Sequence, residues 1–561
     1  MAEQSRPTQT RWLEPAAIAL ILIVAVGLRF WGIRFGFPEH VRPDEQYYAN
    51  AVQRCDRLHT LDPDFFYYPS LYTYINLAVW RGYCFLQLLR GHYSIPDSTR
   101  RQSHDFGIEM IRARSPDGDY LLGRCVTALF GVATVGLVYA MTRRFYGRKA
   151  AVAAAFLLAV NGLHTLNSHF YKSDAATTFF TMAALGCMAR HVQERGAGWN
   201  LGAAALSGLA VSTNYYGGFL VVPLFVSQFM ARREKAFWRW ETYAMPAIMA
   251  AVFGLTSPYC FIRWTDFLNA FHRMLFSDRQ SLYDTMVRVV HFDDFGFQKS
   301  PLAYSVSFCL RYSMGLVMGV VGVCGLVFLS LRRQSVGWLL LVFFAVHFLM
   351  TASGKAVFMR YNLSLVPILT VAAGALLSWR VQNLWPDRVV RQNVGLAVAL
   401  VVCGAAGMWS SVQQDRLLAR TDTRVEAREW LARNLPPNAT VGTPMDWWGN
   451  FYPYGKPTLP GGRGYVPVTP DKAFSSGVRF ILVDDSLLRL YSPLSRPEWK
   501  VWLAKNAKPL WEVSPYRSSP ENLTAISYDQ LDAFYLPVAG FQAITRPGPR
   551  IGIYDLRPNT P

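Results

Sequence analysis

Two carboxylates stand side by side in Arg42-Pro43-Asp44-Glu45, just past the first apolar segment of the chain. At a membrane surface such a pair can take a proton from an incoming hydroxyl or hold a cation. A hydrated loop start shaped by Pro43 is the plain alternative. A third carboxylate, Asp174, closes the run His169-Phe170-Tyr171-Lys172-Ser173-Asp174. At the head of an apolar helix it is favoured by the helix dipole, with Ser173 as the capping residue. Ionisable groups beside membrane depth are costly, however, and mark function more often than surface ones do. Lys172 supplies a cation for a phosphate next to it. Arg124, Arg311, Lys355 and Arg360-Tyr361 add further cations at the ends of apolar segments. Snorkelling is their ordinary explanation; pairing with a lipid phosphate is the chemical one, because the guanidinium fork matches phosphate oxygens. Carboxylates that accept a proton, next to cations that stabilise a departing phosphate, suit group transfer from a lipid phosphate.

The elements that must position these residues are mostly apolar. Of 561 residues, 52% are hydrophobic and 17% charged, with a mean hydropathy of +0.15. That charged fraction falls well below the roughly 25% of soluble domains, which excludes disordered, collagenous and small disulfide-rich classes. Residues 16–28 form an uninterrupted apolar run with no small-residue cleavage pattern after it, so 14–35 reads as a retained membrane helix rather than a signal peptide. Further runs near spanning length lie at about 121–141, 150–167, 174–190, 199–214, 216–231, 242–258, 312–331, 336–352, 357–379 and 394–411. The expectation is a polytopic α-helical membrane protein of about eleven transmembrane helices.

The formal charge of +19 raises the question of nucleic acid, but the positions of the cations answer it. With 69–90 excluded from the spans, the clusters Arg143-Arg144, Arg232-Arg233, Arg332-Arg333 and Arg388 to Arg391 all fall on the side of the N-terminus. Short basic loops stay in the cytoplasm. The segment 69–90 is therefore expected as an amphipathic helix at the outer interface. This parity makes 36–120 and 259–311 external loops of a membrane domain over 1–411. The tail 412–561 becomes an external, periplasmic α/β domain, with a helix near Arg424–Asn434 and strands at Arg479–Val483 and Ile551–Tyr554. Neither nucleic acid nor an internal repeat is indicated. Cys55 and Cys84 share the first external loop, and the reading leaves a disulfide between them open.

Several motifs, in order along the chain, resemble a known family. Gly27-Leu28-Arg29-Phe30-Trp31-Gly32 followed by Pro43-Asp44-Glu45 resembles the opening of GT-C glycosyltransferases, in particular the protein O-mannosyltransferase and lipid A aminoarabinose transferase group. Gly123 to Gly131, continuing through Tyr139 to Arg143-Arg144-Phe145-Tyr146-Gly147, is a second match. Asp174 with Phe179-Phe180 is a third, and Lys355 with Arg360-Tyr361 ahead of Pro367 a fourth. Arg424 to Pro436 resembles the start of the external domain that often follows. The resemblance implies a GT-C-like membrane domain with interfacial helices in the first external loop. It also implies a polyprenyl-phosphate-linked sugar donor and inversion in a single displacement at the outer face. Asp44 would then be the catalytic base, Glu45 its support and Asp174 the second acidic position. Arg124, Lys172, Lys355, Arg360 and Tyr361 would bind the substrate. Aminoarabinose transferases often carry a lysine before the proline that opens the second interfacial helix; here Tyr68 precedes Pro69, so another cation must serve.

The expected partners are thus that donor, an acceptor protein, lipid or glycan, and membrane lipids, in a bacterial inner (plasma) membrane. No cofactor is required by any motif, with a divalent cation left open. A transporter or flippase for a lipid-linked or anionic solute is the alternative, favoured by intramembrane polar residues such as Asn214 and His347 but not by any repeat.

Overall fold

A computed structural model describes residues 10–90, 103–273, 301–353, 357–436, 439–444, 465–488, 497–517, 526–529, 532 and 534–556. The chain divides into two compact units. One comprises residues 1–30, 48–279 and 301–412; the other comprises 31–47, 280–300 and 413–561.

The first unit is helical. Its helices are α1 (Thr10–Phe30), α2 (Glu45–Arg57, in this unit from Tyr48 on), α3 (Leu71–Leu89), α4 (Ser103–Arg114), α5 (Gly118–Tyr146), α6 (Arg148–Ala159), α7 (Gly162–Asn167), α8 (Asp174–Glu194), α9 (Ala197–Thr213), α10 (Val221–Arg232) and α11 (Trp240–Thr256). Helices Leu316–Leu331, Ser335–Ala352, Leu365–Leu384 and Val389–Leu418 follow. Among the described residues, four helical stretches are long and apolar enough to cross a membrane: Gly118–Tyr146, Ser335–Ala352, Leu365–Leu384 and Val389–Asn434. Leu302–Met314 and Leu316–Leu331, bent by 107°, would make a fifth if they act as one span. Several of the expected segments are shorter or broken. The apolar run 150–167 is interrupted where the Asn161 side chain accepts from the His164 N–H at 2.9 Å and starts α7 afresh. The run 216–231 opens as a 3-10 turn, Tyr215–Leu220, before α10. The run 357–379 likewise opens with a 3-10 turn, Met359–Asn362.

Small residues let these helices approach closely, as expected where lipid offers no hydrophobic drive. The alanines of α6 are fully buried, and a Cβ on Gly374 would lie 2.6 Å from the Ala150 carbonyl oxygen. The helices that follow α1 in sequence are joined by one buried carboxylate. Asp56 on α2 accepts from Trp80 Nε1 at 3.0 Å and Arg81 Nε at 2.9 Å on α3, and from Arg112 Nη2 at 2.8 Å on α4. Arg263 ties this group to the turn after α11 through Asp62 at 3.1 Å. Cys55 and Cys84 are both buried and free.

The second unit contains a mixed five-stranded sheet: β1 (Val441–Pro444), β2 (Tyr465–Val468), β3 (Phe480–Asp485), β4 (Ala507–Val513) and β5 (Arg550–Leu556), in the order β2-β1-β3-β5-β4. β1 is parallel to β2 and β3, while β5 runs antiparallel to β3 and β4. Both strands expected from apolar runs lie at its centre, paired from Phe480↔Asp555 to Asp485↔Arg550. One face is covered by helix Thr423–Asn434, whose Ala427 and Leu431 pack with Leu482, Ile551 and Ile553. The other face is covered by Pro497–Asn506 through Trp499 and Leu503. Asp422 caps the first of these helices by accepting from the Arg424 N–H at 2.9 Å.

Candidate functional site

The loop between α7 and α8 carries Lys172 and Asp174, and tyrosines hold it. Tyr171 is buried against Gly123 of α5. Its ring lies 6.0 Å from Tyr48, 6.1 Å from Tyr72 and 6.2 Å from Tyr120. Tyr48 shares a hydrogen bond of 2.8 Å with Ser173, and burial pushes its phenol well above the ordinary value, so it stays neutral there. Tyr72 donates to the Gly123 carbonyl at 3.2 Å and shares a 2.5 Å bond with Thr127, whose hydroxyl also reaches the Lys172 carbonyl at 3.4 Å. The loop therefore has its side chains and backbone fixed by α2, α3 and α5.

Asp174 is the first residue of α8, as a carboxylate at the positive end of a helix should be. Lys172 Nζ lies 3.8 Å from Asp174 Oδ2; the lysine side chain is 1% exposed and the aspartate 13%. Asp174 faces a cleft of ≈ 240 Å³, solvent-open space included, lined also by Thr177, Asn214, Tyr216, His347, Arg360, Tyr361, Leu363 and Ser364. The far wall is an aromatic and cationic group. Arg360 stacks on Phe358 with 4.1 Å to the ring centroid, and Tyr361 meets Tyr216 edge-on at 5.0 Å. His347 Nε2 bonds the Tyr361 carbonyl at 2.9 Å. A carbonyl only accepts, so Nε2 carries the proton in this arrangement and Nδ1 is the acceptor of a neutral ring. Nδ1 has no hydrogen-bond partner among the described residues. Thr178 shares a 3.2 Å bond with Ser364, pinning α8 to the segment that bears Arg360. Asp174, Arg360, two tyrosines and His347 thus line one small concave space, residue types able to bind an anionic oxygen ester and to exchange protons.

The other expected carboxylates, Asp44 and Glu45, belong to the second unit. Asp44 is half-buried in the turn before α2, and Glu45 is the first residue of α2 and fully buried. The Glu45 N–H donates to the Arg42 carbonyl at 3.4 Å, closing that turn. Arg42 makes two bonds to Asp532, at 2.5 and 2.9 Å.

Of the residues expected to bind substrate, Arg360 and Tyr361 line the same cleft as Asp174, and Lys172 is ion-paired to that carboxylate. Arg124 is completely buried on α5 beside Gly123 and does not line the cleft. Lys355 lies outside the described residues. Arg311 follows the turn 305–310 and stacks on Tyr312. Asn214 and His347, read from the sequence as polar residues suited to a transport path, are cleft walls. Their signal was present in the sequence, because a polar side chain in an apolar run is conspicuous; their destination was not. Among the described residues no group of three or more metal-ligating side chains comes together.

The architecture has solved counterparts. It is similar to ArnT from Cupriavidus metallidurans in the apo state, at 14% identity and a TM-score of 0.50, covering 98% of each chain. It is also similar to the oligosaccharyltransferase AglB from Archaeoglobus fulgidus in complex with an inhibitory peptide and a dolichol-phosphate. There the identity is 14% and the TM-score 0.52, over 91% of this chain and 74% of that one. Both are GT-C glycosyltransferases. The chain has the GT-C fold. Within this GT-C chain, residues 120–262 match the family model of dolichyl-phosphate-mannose-protein mannosyltransferase. That stretch contains Arg124, Lys172 and Asp174. A curated relative, a putative mannosyltransferase of Bacillus subtilis, is 33% identical over 99 residues, which cover 18% of this chain and 14% of the relative.

Proposed function

We propose that the protein is an integral membrane glycosyltransferase that moves one sugar from a polyprenyl-phosphate donor to an acceptor hydroxyl at the outer face of the membrane. The observation that carries this reading is the convergence of Asp174, Arg360 and Tyr361, distant in sequence, on one cleft of a GT-C fold. Support for a lipid-phosphate donor comes from the mannosyltransferase family model over 120–262 and from the dolichol-phosphate in the AglB complex. Asp44, assisted by Glu45, takes the proton of the acceptor hydroxyl. The freed oxygen lone pair forms the bond to the anomeric carbon. The carbon–oxygen bond to phosphate breaks, and its electron pair leaves with the lipid phosphate. Lys172, Lys355, Arg360 and Tyr361 hold that departing charge, Arg124 adds its buried positive charge from α5, and Asp174 sets the position of Lys172. One displacement inverts the anomeric centre. The acceptor is a protein, lipid or glycan.

In this reading the eleven apolar segments are spans, including the short and broken ones, and 1–411 is the transferase domain. The N-terminus faces the cytoplasm of a bacterial inner membrane. Residues 36–120, 259–311 and the 412–561 domain lie outside, with α3 at the interface. The test uses the full-length protein in lipid vesicles with radiolabelled polyprenyl-phosphate-mannose as donor probe. Asp44→Asn and Asp44→Ala should each lower transfer by about 10²-fold or more while membrane insertion is unchanged. Full transfer by both variants would overturn the assignment. Mass spectrometry of glycans and lipids from a deletion strain would then name the sugar.

A further inference from the structure

The segment between α1 and α2 is held by charge rather than by grease, within the second unit. Arg42 is 1% exposed, and both terminal nitrogens of its guanidinium are engaged. It grips both carboxylate oxygens of Asp532 and lies 4.8 Å from the centroid of Phe534. Glu39 pairs with Arg428 at 2.8 Å, with side chains 8% and 6% exposed. Arg424, itself clamped by Asp422 at 2.8 Å, donates to the Val41 carbonyl at 3.1 Å. Phe35 meets Phe534 edge-on at 5.7 Å. Gly32, at φ +83°, leaves no room for a Cβ, which would sit 2.9 Å from Leu418 Cβ. A connecting loop that had only to cover distance would need none of this. Buried ion pairs stabilise poorly compared with apolar packing, and their best-attested use is to select one arrangement. Here the arrangement selected is that of the turn bearing Asp44, because the Arg42 carbonyl is the acceptor that closes it.

We propose that Arg42 is a positioning residue for Asp44, held through Asp532 and Phe534, and that residues 415–428 with Asp532 and Phe534 belong to the transfer machinery rather than to an appended module. This rests on Asp44 as the base. The Arg42 fork accepts one orientation against Asp532, which fixes the Arg42 backbone and with it Pro43, Asp44 and Glu45. Losing the fork leaves Asp44 chemically intact but free to wander, and misplacement of about 1 Å is enough to slow a reaction by as much as 10²-fold.

The experiment is hydrogen exchange on full-length protein in lipid vesicles, read alongside transfer from polyprenyl-phosphate-mannose. Asp532→Asn should raise exchange across 39–47 about tenfold or more, leaving the sheet peptides 480–485 and 550–556 protected. In the same variant kcat should fall about tenfold or more with the donor KM within about twofold, because the base and not donor binding is disturbed. Asp532→Glu, which keeps the ion pair, should recover most of both. If Asp532→Asn also loosens the sheet, Arg42→Lys gives the same comparison, keeping the charge but not the fork. Unchanged exchange across 39–47, or raised exchange with unchanged kcat, overturns the proposal. Transfer that survives Asp44→Asn refutes the base assignment by itself, and the exchange result then stands apart from it.

Discussion

Replacing Gly123 with alanine separates helix propensity from site positioning, because the two push in opposite directions. Gly123 sits inside α5, where alanine is intrinsically better by about 0.8–1 kcal/mol. The structure opposes that gain. A Cβ at 123 would clash with Cγ, Cδ2 and Cε2 of the Tyr171 ring, at well under 3 Å from each. Those atoms are not the far end of a flexible chain: Tyr171 is 1% exposed and boxed by Tyr48, Tyr72 and Tyr120. Overpacking of that kind costs about 1–3 kcal/mol, and the rigidity of the ring puts this case near the upper end. The expected net is a loss of about 1–2 kcal/mol once the propensity term is deducted. The displaced ring must move the loop that carries Lys172 and Asp174, so transfer should drop about 10- to 100-fold. Gly136 supplies the control. It lies on the same helix with nothing within 4 Å of a built Cβ, so Gly136→Ala should be neutral or slightly stabilising. Thermal unfolding in detergent and the initial rate of transfer report the two effects. A Gly123→Ala protein that melts and turns over like the parent, or that matches Gly136→Ala, refutes the positioning role of Tyr171.

Arg360→Ala should weaken donor binding and transfer, and Arg360→Lys should recover little. A lysine has neither the planar stack on Phe358 nor the bidentate fork; full rescue by lysine, measured as donor KM and kcat, would show that only charge matters there. For the buried thiols, burial pushes Cys55 up to about 11 and Cys84 up to about 12. A raised thiol pKa keeps the reactive thiolate scarce until pH climbs past it. Both should therefore resist maleimide at neutral pH in the folded protein and label quickly after denaturation without reductant. A denatured sample in which both label only after reduction would show that they form a disulfide.

How much of this was legible in the sequence depended on which physical signal each feature leaves. The apolar helices leave length and hydropathy, so α5, α8 and Ser335–Ala352 start within a few residues of their apolar runs. The central strands of the five-stranded sheet leave short apolar runs, and the helix read at Arg424–Asn434 is bounded by the prolines at 436 and 437. Breaks inside apolar runs leave almost nothing. The Asn161 cap, the 3-10 opening at Tyr215 and the bend at Gly315 are set by single polar or glycine residues that hydropathy averages away.

Side-chain orientation was less legible still, and the reason lies in the solvent. In water the polar face of a helix identifies its apolar face, but in lipid both faces are apolar, so periodicity does not tell a helix-facing side from a lipid-facing one. What remains readable is the exception. Asp174, Asn214, His347 and Arg360 stood out as polar residues in apolar surroundings, and all four line one cleft. Arg42 offered no such contrast, since it sits in a polar loop among other charges. Its partner Asp532 is 490 residues away, beyond any spacing rule. A residue is conspicuous when its chemistry conflicts with its local environment, whereas a pair that resolves the conflict between two distant polar segments is visible only once the chain has folded.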